Sequence, residues 1–294
     1  MILWHRRGFV LAGGFGLFCA TMPARAGQNA AARLERLEKA VGGRVGVAAL
    51  DTESGARIAW RGDEHFAMCS TFKWMLVAAI LLRCERGALS LERRIAYTSA
   101  DLLPHSPVTA ANVRDGEMTV AALSEAAVEM SDNAAAMLLL RLVGGPAGLT
   151  QFLRRIGDPV TRLDRREPAL NTNLPGDLRD TTTPNAMVGT MRKLLAGDVL
   201  EQASRDRLIG WMVDCRTGLD RLRAGLPRGW RVGDKTGTGT GAGPTSAVND
   251  LAIAWPPGRK PVLIASYLSG SSAPIEMQNA THARIGRIVA EIFV

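Results

Sequence analysis

Val45-Gly46-Val47-Ala48-Ala49-Leu50, then Thr52-Glu53-Ser54-Gly55, then Ala56 to Arg61, is the stretch on which the fold turns. Two short apolar runs around a polar tetrad ending in glycine predict a β-hairpin. A lone hairpin is marginal in water, so it needs further strands. The next strand-like runs lie near the other end of the chain: Trp230–Lys235, Val248–Trp255 and Val262–Leu268. Amphipathic stretches, Ala30–Val41 and Asn279–Ile292, frame these strands. The middle has helical periodicity over Thr71–Arg86 (ending at Gly87), Thr119–Val128, Asn133–Val143 (ending at Gly144) and Pro184–Ala196. Strands at the ends and helices between them argue against βαβ alternation. They predict an α/β fold of the α+β kind: an antiparallel sheet built from both chain ends, with flanking helices and an inserted all-helical domain. The expected boundaries are 27–66 and 215–294 for the sheet domain and 67–214 for the helical domain, including a loop over 164–182. A cleft between two such units is a favoured place for a site.

The chain has 294 residues, 47% hydrophobic and 22% charged, which excludes wholesale disorder. Its formal charge of +8 rests on 36 Lys+Arg, of which only five are Lys: Lys39, Lys73, Lys193, Lys235 and Lys260. The arginines are scattered, aromatics make up 5%, and no basic run interleaves with them, so nucleic acid is not an expected partner. No HExxH, His-x-His or CxxC pattern occurs, so neither metal nor cofactor is expected.

Arg6-Arg7, the apolar stretch Gly8 to Met22 and Ala24-Arg25-Ala26 read as a cleavable export signal over residues 1–26. The stretch is too short and glycine-rich for a comfortable membrane span, so no stable anchor is expected after cleavage. Arg6-Arg7-Gly8-Phe9-Val10-Leu11 is similar to a twin-arginine signal; His5 in place of Ser or Thr leaves the general export route open. Cleavage after Ala26 lowers the charge from +8 to +5. Cys69, Cys84 and Cys215 would remain, an odd number, so at least one thiol stays free. All three are expected to be small buried hydrophobes.

Four short motifs can carry chemistry. Ser70-Thr71-Phe72-Lys73 opens an apolar helix and places hydroxyl and amine on one face, where a lysine of lowered pKa can take the serine proton. Ser131-Asp132-Asn133 lies between two helices, where such residues favour capping. Lys235-Thr236-Gly237-Thr238-Gly239 closes a strand; its glycines serve either a turn or close approach of a substrate, with lysine and hydroxyls meeting a carboxylate. Glu167-Pro168-Ala169-Leu170-Asn171 lies in the loop 164–182, where Glu167 and Asn171 can hold a water and Arg165 can pair with Asp180.

In this order and spacing the four motifs resemble those of class A serine β-lactamases. The resemblance spans the mature chain and implies hydrolysis of penicillins and at least some cephalosporins, hence antibiotic resistance. It implies Ser70 as nucleophile, Lys73 and Ser131 as proton carriers, and Glu167 with Asn171 activating the deacylating water. Whether Lys73 or Glu167 activates Ser70 stays open. Backbone N–H groups of Ser70 and Thr238 would form the oxyanion hole. Asn133 would meet the substrate's side-chain amide, and Lys235, Thr236, Gly237 and Thr238 its carboxylate side. Arg221 resembles an arginine supporting that site in some branches; the alternative is a surface arginine. His105 stands where many members carry a rim aromatic, and Arg166 where an aromatic is common. A carbapenem-hydrolysing branch bridges the cysteine before the nucleophile to one after KTG, but here that place is Gly239. A monomer in the periplasm is the implied state. A penicillin-binding DD-peptidase or a penicilloyl sensor would share SxxK and KTG but lack the deacylating glutamate.

Overall fold

The computed structural model describes residues 24–294; the first 23 residues of the expected export signal, with Arg6-Arg7 and Cys19, lie outside the described residues. In chain order the elements are α1 (Ala24–Val41), β1 (Arg44–Asp51), β2 (Arg57–Trp60), β3 (Phe66–Ala67), α2 (Phe72–Glu85), β4 (Arg94–Ala96), α3 (Pro107–Ala111) and β5 (Glu117–Thr119). Then come α4 (Val120–Glu129), α5 (Asn133–Leu142), α6 (Gly145–Arg155), β6 (Thr181–Thr182), α7 (Pro184–Leu195), α8 (Gln202–Val213) and α9 (Leu222–Gly225). β7 (Arg231–Thr238), β8 (Ala247–Trp255), β9 (Val262–Ser269) and α10 (Ile275–Phe293) complete the chain.

The main sheet has the order β2-β1-β9-β8-β7, with every neighbouring pair antiparallel. The hairpin is therefore joined to the C-terminal strands through β1 and β9, as its need for partners predicts. Each central strand serves two cores by alternation. On β9, Val262, Ile264 and Leu268 face α1 and α10, while Leu263, Ala265 and Tyr267 face the helical part. Burial on both faces explains why these strands are almost continuously apolar.

Within the helical part, α2 is the central element: all of Phe72–Leu81 is buried, Lys73 included. A helix apolar all round can only lie inside. α6 and α8 were not foreseen. Gly145-Pro146 and Gly148 punctuate the first, and the second spreads its apolar residues without a clear stripe around Gly210. The loop 164–182 is pinned as expected: Arg165 Nε donates to Asp180, whose Oδ1 accepts from the backbone N–H of Asp164 at 2.7 Å and Arg165 at 2.9 Å. Cys69, Cys84 and Cys215 are all free thiols. Cys84 corrects the expectation of burial, because it is only half-buried on the last turn of α2.

Candidate active site

A turn of 3-10 helix over Cys69–Thr71 delivers Ser70 to the start of α2. Ser70, Ser131, Asn133, Asn171, Arg221, His105 and the β7 residues Thr236, Gly237 and Thr238 line one cleft of about 300 Å³. Larger hollows of about 520 and 570 Å³ lie under the tip of loop 164–182 and beside Trp255, but neither is lined by this serine–lysine machinery. Chemistry rather than size selects the smaller cleft. Cys69, Ser131 and His105 adopt left-handed backbone angles, φ 48°, 56° and 58°. Such conformations are disfavoured for side chains of this kind, and their concentration around one cleft marks a functional site.

Lys73 is carried inward by α2. Its Nζ donates to Ser131 O at 2.6 Å and to Asn133 Oδ1 at 2.5 Å, with Ser131 Oγ at 3.4 Å and Glu167 Oε1 at 3.7 Å. Those hydrogen bonds do not include Ser70, which lies in the 3-10 turn just before α2. Burial pushes the Lys73 pKa down to about 7, further lowered by Lys235 and opposed by the Glu167 carboxylate. Lys235, also fully buried, donates to Ser131 Oγ at 2.9 Å and to Thr236 O at 2.9 Å, and burial lowers its pKa too. Ser131 thus connects the two lysines.

Asp132 fulfils the capping expectation, accepting from Ala135 N–H, and it also accepts from the N–H groups of Val108 and Thr109. That leaves Ser131 and Asn133 free for the cleft. Asn133 donates to Pro104 O at 2.8 Å, and His105 Nε2 lies 3.0 Å from Met130 O at the exposed rim. In the loop, Asn171 Nδ2 donates directly to Glu167 Oε2, closer than the water-spanning arrangement expected. Glu167 Oε1 and Asn171 Oδ1 are buried and accept no hydrogen bond among the described residues.

Gly237 lies against the Ser70 turn: a Cβ there would stand 2.5 Å from Met68 O. Arg221 is buried, so the surface alternative is wrong. It donates to Gly237 O, Asn249 O, Asn279 Oδ1 and Thr238 Oγ1, tying β7, β8 and α10 together. Sequence reasoning missed Thr217, Thr240, Pro104 and Pro168 in the cleft wall. None belongs to a recognisable spacing except Pro168, which lies within the glutamate motif itself.

A model of the beta-lactamase enzyme family matches residues 29–293. The chain belongs to the class A β-lactamases. As such it is a serine hydrolase that cleaves β-lactams. This β-lactamase is 46% identical over 280 residues to β-lactamase L2 of Stenotrophomonas maltophilia, covering 95% of this chain and 91% of the relative. It is 44% identical over 256 residues to a carbapenem-hydrolysing β-lactamase, KPC, of Klebsiella oxytoca, covering 87% and 86% of the two chains. Among solved structures it is similar to an ancestral class A β-lactamase at a TM-score of 0.87 and 56% identity, covering 90% of this chain and all of that one.

Proposed function

We propose that this β-lactamase hydrolyses penicillins and at least some cephalosporins through an acyl-enzyme on Ser70. Ser70 Oγ bonds to the lactam carbonyl carbon, the ring C–N bond breaks, and the serine proton passes through Lys73 and Ser131 to the departing nitrogen. Backbone N–H groups of Ser70 and Thr238 hold the developing oxyanion; each such donor is typically worth ~10²–10³ in rate. Glu167 then takes a proton from the attacking water and Asn171 orients that water. The observation that carries this reading is the buried contact of Lys73 with Ser131, Asn133 and Glu167. A lysine whose pKa is near 7 is partly neutral at working pH and can accept the serine proton while keeping two donors engaged.

Lys235, Thr236 and Thr238 form the carboxylate side, beside Gly237. Arg221 acts through Thr238: by donating to Thr238 Oγ1 it leaves that hydroxyl's own hydrogen for the substrate. Asn133 offers its second amide hydrogen to the substrate's side-chain amide, and His105 bounds the rim. The mature enzyme, from residue 27, is a periplasmic monomer exported by the twin-arginine route, with the sheet unit (27–66, 215–294) and helical unit (67–214) flanking the cleft.

Replacement Glu167→Ala tests the mechanism. Intact-protein mass spectrometry after exposure to a penicillin should show one added substrate mass persisting on Ser70, while the wild type returns to its free mass. Unchanged steady-state hydrolysis of a chromogenic cephalosporin by the variant would show that another group activates the water.

A further inference from the structure

Two threonines face the carboxylate side of the cleft, and the groups behind them differ. Behind Thr238 stands Arg221, which can only donate, so the direction of the Thr238 hydroxyl is fixed. Thr236 Oγ1 instead lies 2.6 Å from Thr217 Oγ1, a contact in which either hydroxyl can be the donor. Behind Thr217 stands the Cys215 thiol, with Sγ 3.4 Å from Thr217 Oγ1. Thr217 and Thr236 line the cleft, whereas Cys215 is 3% exposed. Neither Cys215 nor Thr217 has a part in the reaction steps above.

We propose that Cys215 and Thr217 are positioning residues: a one-way hydrogen-bond chain, Cys215 to Thr217 to Thr236, turns the Thr236 hydroxyl outward as a donor to the substrate carboxylate. The proposal rests on the reading of Thr236 as part of the carboxylate side. A carboxylate only accepts hydrogen bonds, so Thr236 must donate to it. The Thr236 oxygen is then the acceptor in the 2.6 Å contact, and Thr217 donates. Having given its hydrogen, Thr217 can accept one from the thiol, which becomes the group that selects its rotamer.

The thiol keeps its hydrogen, because burial and the neighbouring Asp234 both raise its pKa. Asp234 is the competitor for that hydrogen. Its Oδ2 accepts no hydrogen bond among the described residues and lies against Gly218, where a Cβ would stand 1.7 Å away. Arg223 offsets its charge by donating to Oδ1 through both Nε and Nη2, and burial pushes the carboxyl pKa up. Of the two, the Arg223 pairing is what weakens its hold on the thiol. The chain therefore runs toward the cleft when a carboxylate waits there.

Hydrolysis of a penicillin and of its methyl ester by wild type, Thr217→Val, Cys215→Ala, Cys215→Ser and Thr236→Val tests this. The wild type should prefer the free acid. Thr217→Val and Cys215→Ala should narrow that preference about tenfold, through a higher KM for the acid, with kcat and ester turnover retained. Cys215→Ser should keep the preference, since serine retains a donor. Equal losses for acid and ester would mean that these side chains only support the fold, and an unaltered preference in Thr217→Val would mean that Thr236 needs no help; either overturns the proposal. A loss in Thr217→Val without one in Cys215→Ala removes the thiol from the chain. A wild type that is indifferent to esterification, or a Thr236→Val variant that keeps the full preference for the acid, refutes the carboxylate reading itself, which separates that failure from failure of the chain.

Discussion

Lys73 and Lys235 share Ser131 yet are suited to opposite tasks, and the difference comes from their other neighbours. Lys73 lies 3.7 Å from Glu167, which favours its charged form, while burial opposes it; the balance falls at about 7. With the neutral amine as the proposed base, acylation by the wild type should rise about tenfold per pH unit below 7 and level off above it. Replacing Glu167 by Gln removes the carboxylate that raises this pKa, so the midpoint should move to lower pH. Stopped-flow acylation rates from pH 5 to 9 for both proteins check the sign; a midpoint unmoved or shifted upward in Glu167→Gln would exclude Lys73 as the group titrating. These residues were legible in the sequence because a chain that spends arginine freely still keeps lysine at two motif positions, where proton exchange or a compact charge is needed. Arg221 was only half legible: its burial depends on carbonyls from β7 and β8 that no local pattern announces. Thr217 was not legible at all, because its proposed role rests on one contact across to Thr236.

At the scale of elements, β7 is held against the Ser70 turn by the absence of a side chain. A methyl at Gly237 would meet Met68 O at 2.5 Å and Thr71 Cγ2 at 3.0 Å. Met68 O cannot easily retreat, since it accepts from Thr71 Oγ1 at 2.8 Å and Asn249 Nδ2 at 3.1 Å. Gly237→Ala should therefore push β7 away from Ser70 and cost about 1–3 kcal/mol in stability. A displacement of even ~1 Å between strand and turn should lower acylation by about 10²-fold. Thermal melting and the burst rate with a chromogenic cephalosporin measure the two effects; wild-type acylation in this variant would show that strand and turn need no such fit. The five strands of the main sheet were readable from apolar runs, and α2, α4, α5 and α7 from periodicity and caps, whereas β3 to β6, two or three residues each, were too short to leave a pattern. α6 was hidden because Gly145-Pro146 and Gly148 interrupt its start, although Leu149, Phe152 and Leu153 form a buried stripe, and α8 because it has no amphipathic stripe and tertiary packing keeps it helical.

At the scale of the molecule, the sheet is the shared wall of two cores. Leu251, Ile253, Leu263 and Tyr267 join the same apolar cluster as Trp74, Leu139 and Met191 of the helical part, while Ile264 and Val47 join α1 and α10 behind the sheet. Because β1 and β9 are neighbours, neither end of the chain can complete the sheet alone. We expect the two units to unfold as one, even though the chain order divides them into three segments. Ile264→Ala tests this from the face remote from the cleft. It should cost about 2–5 kcal/mol, since a fully buried Ile leaves a cavity that packing only partly closes. Its kcat at low temperature should be unchanged, because nothing lining the cleft moves. Across a urea titration, loss of activity should coincide with the change in tryptophan fluorescence, which reports Trp74 and Trp211 on one side of the sheet and Trp230 on the other. Activity surviving past a first fluorescence transition would mean that the rear core can open while the cleft stays assembled, and the sheet would then be a partition between two independent units rather than the joint between them.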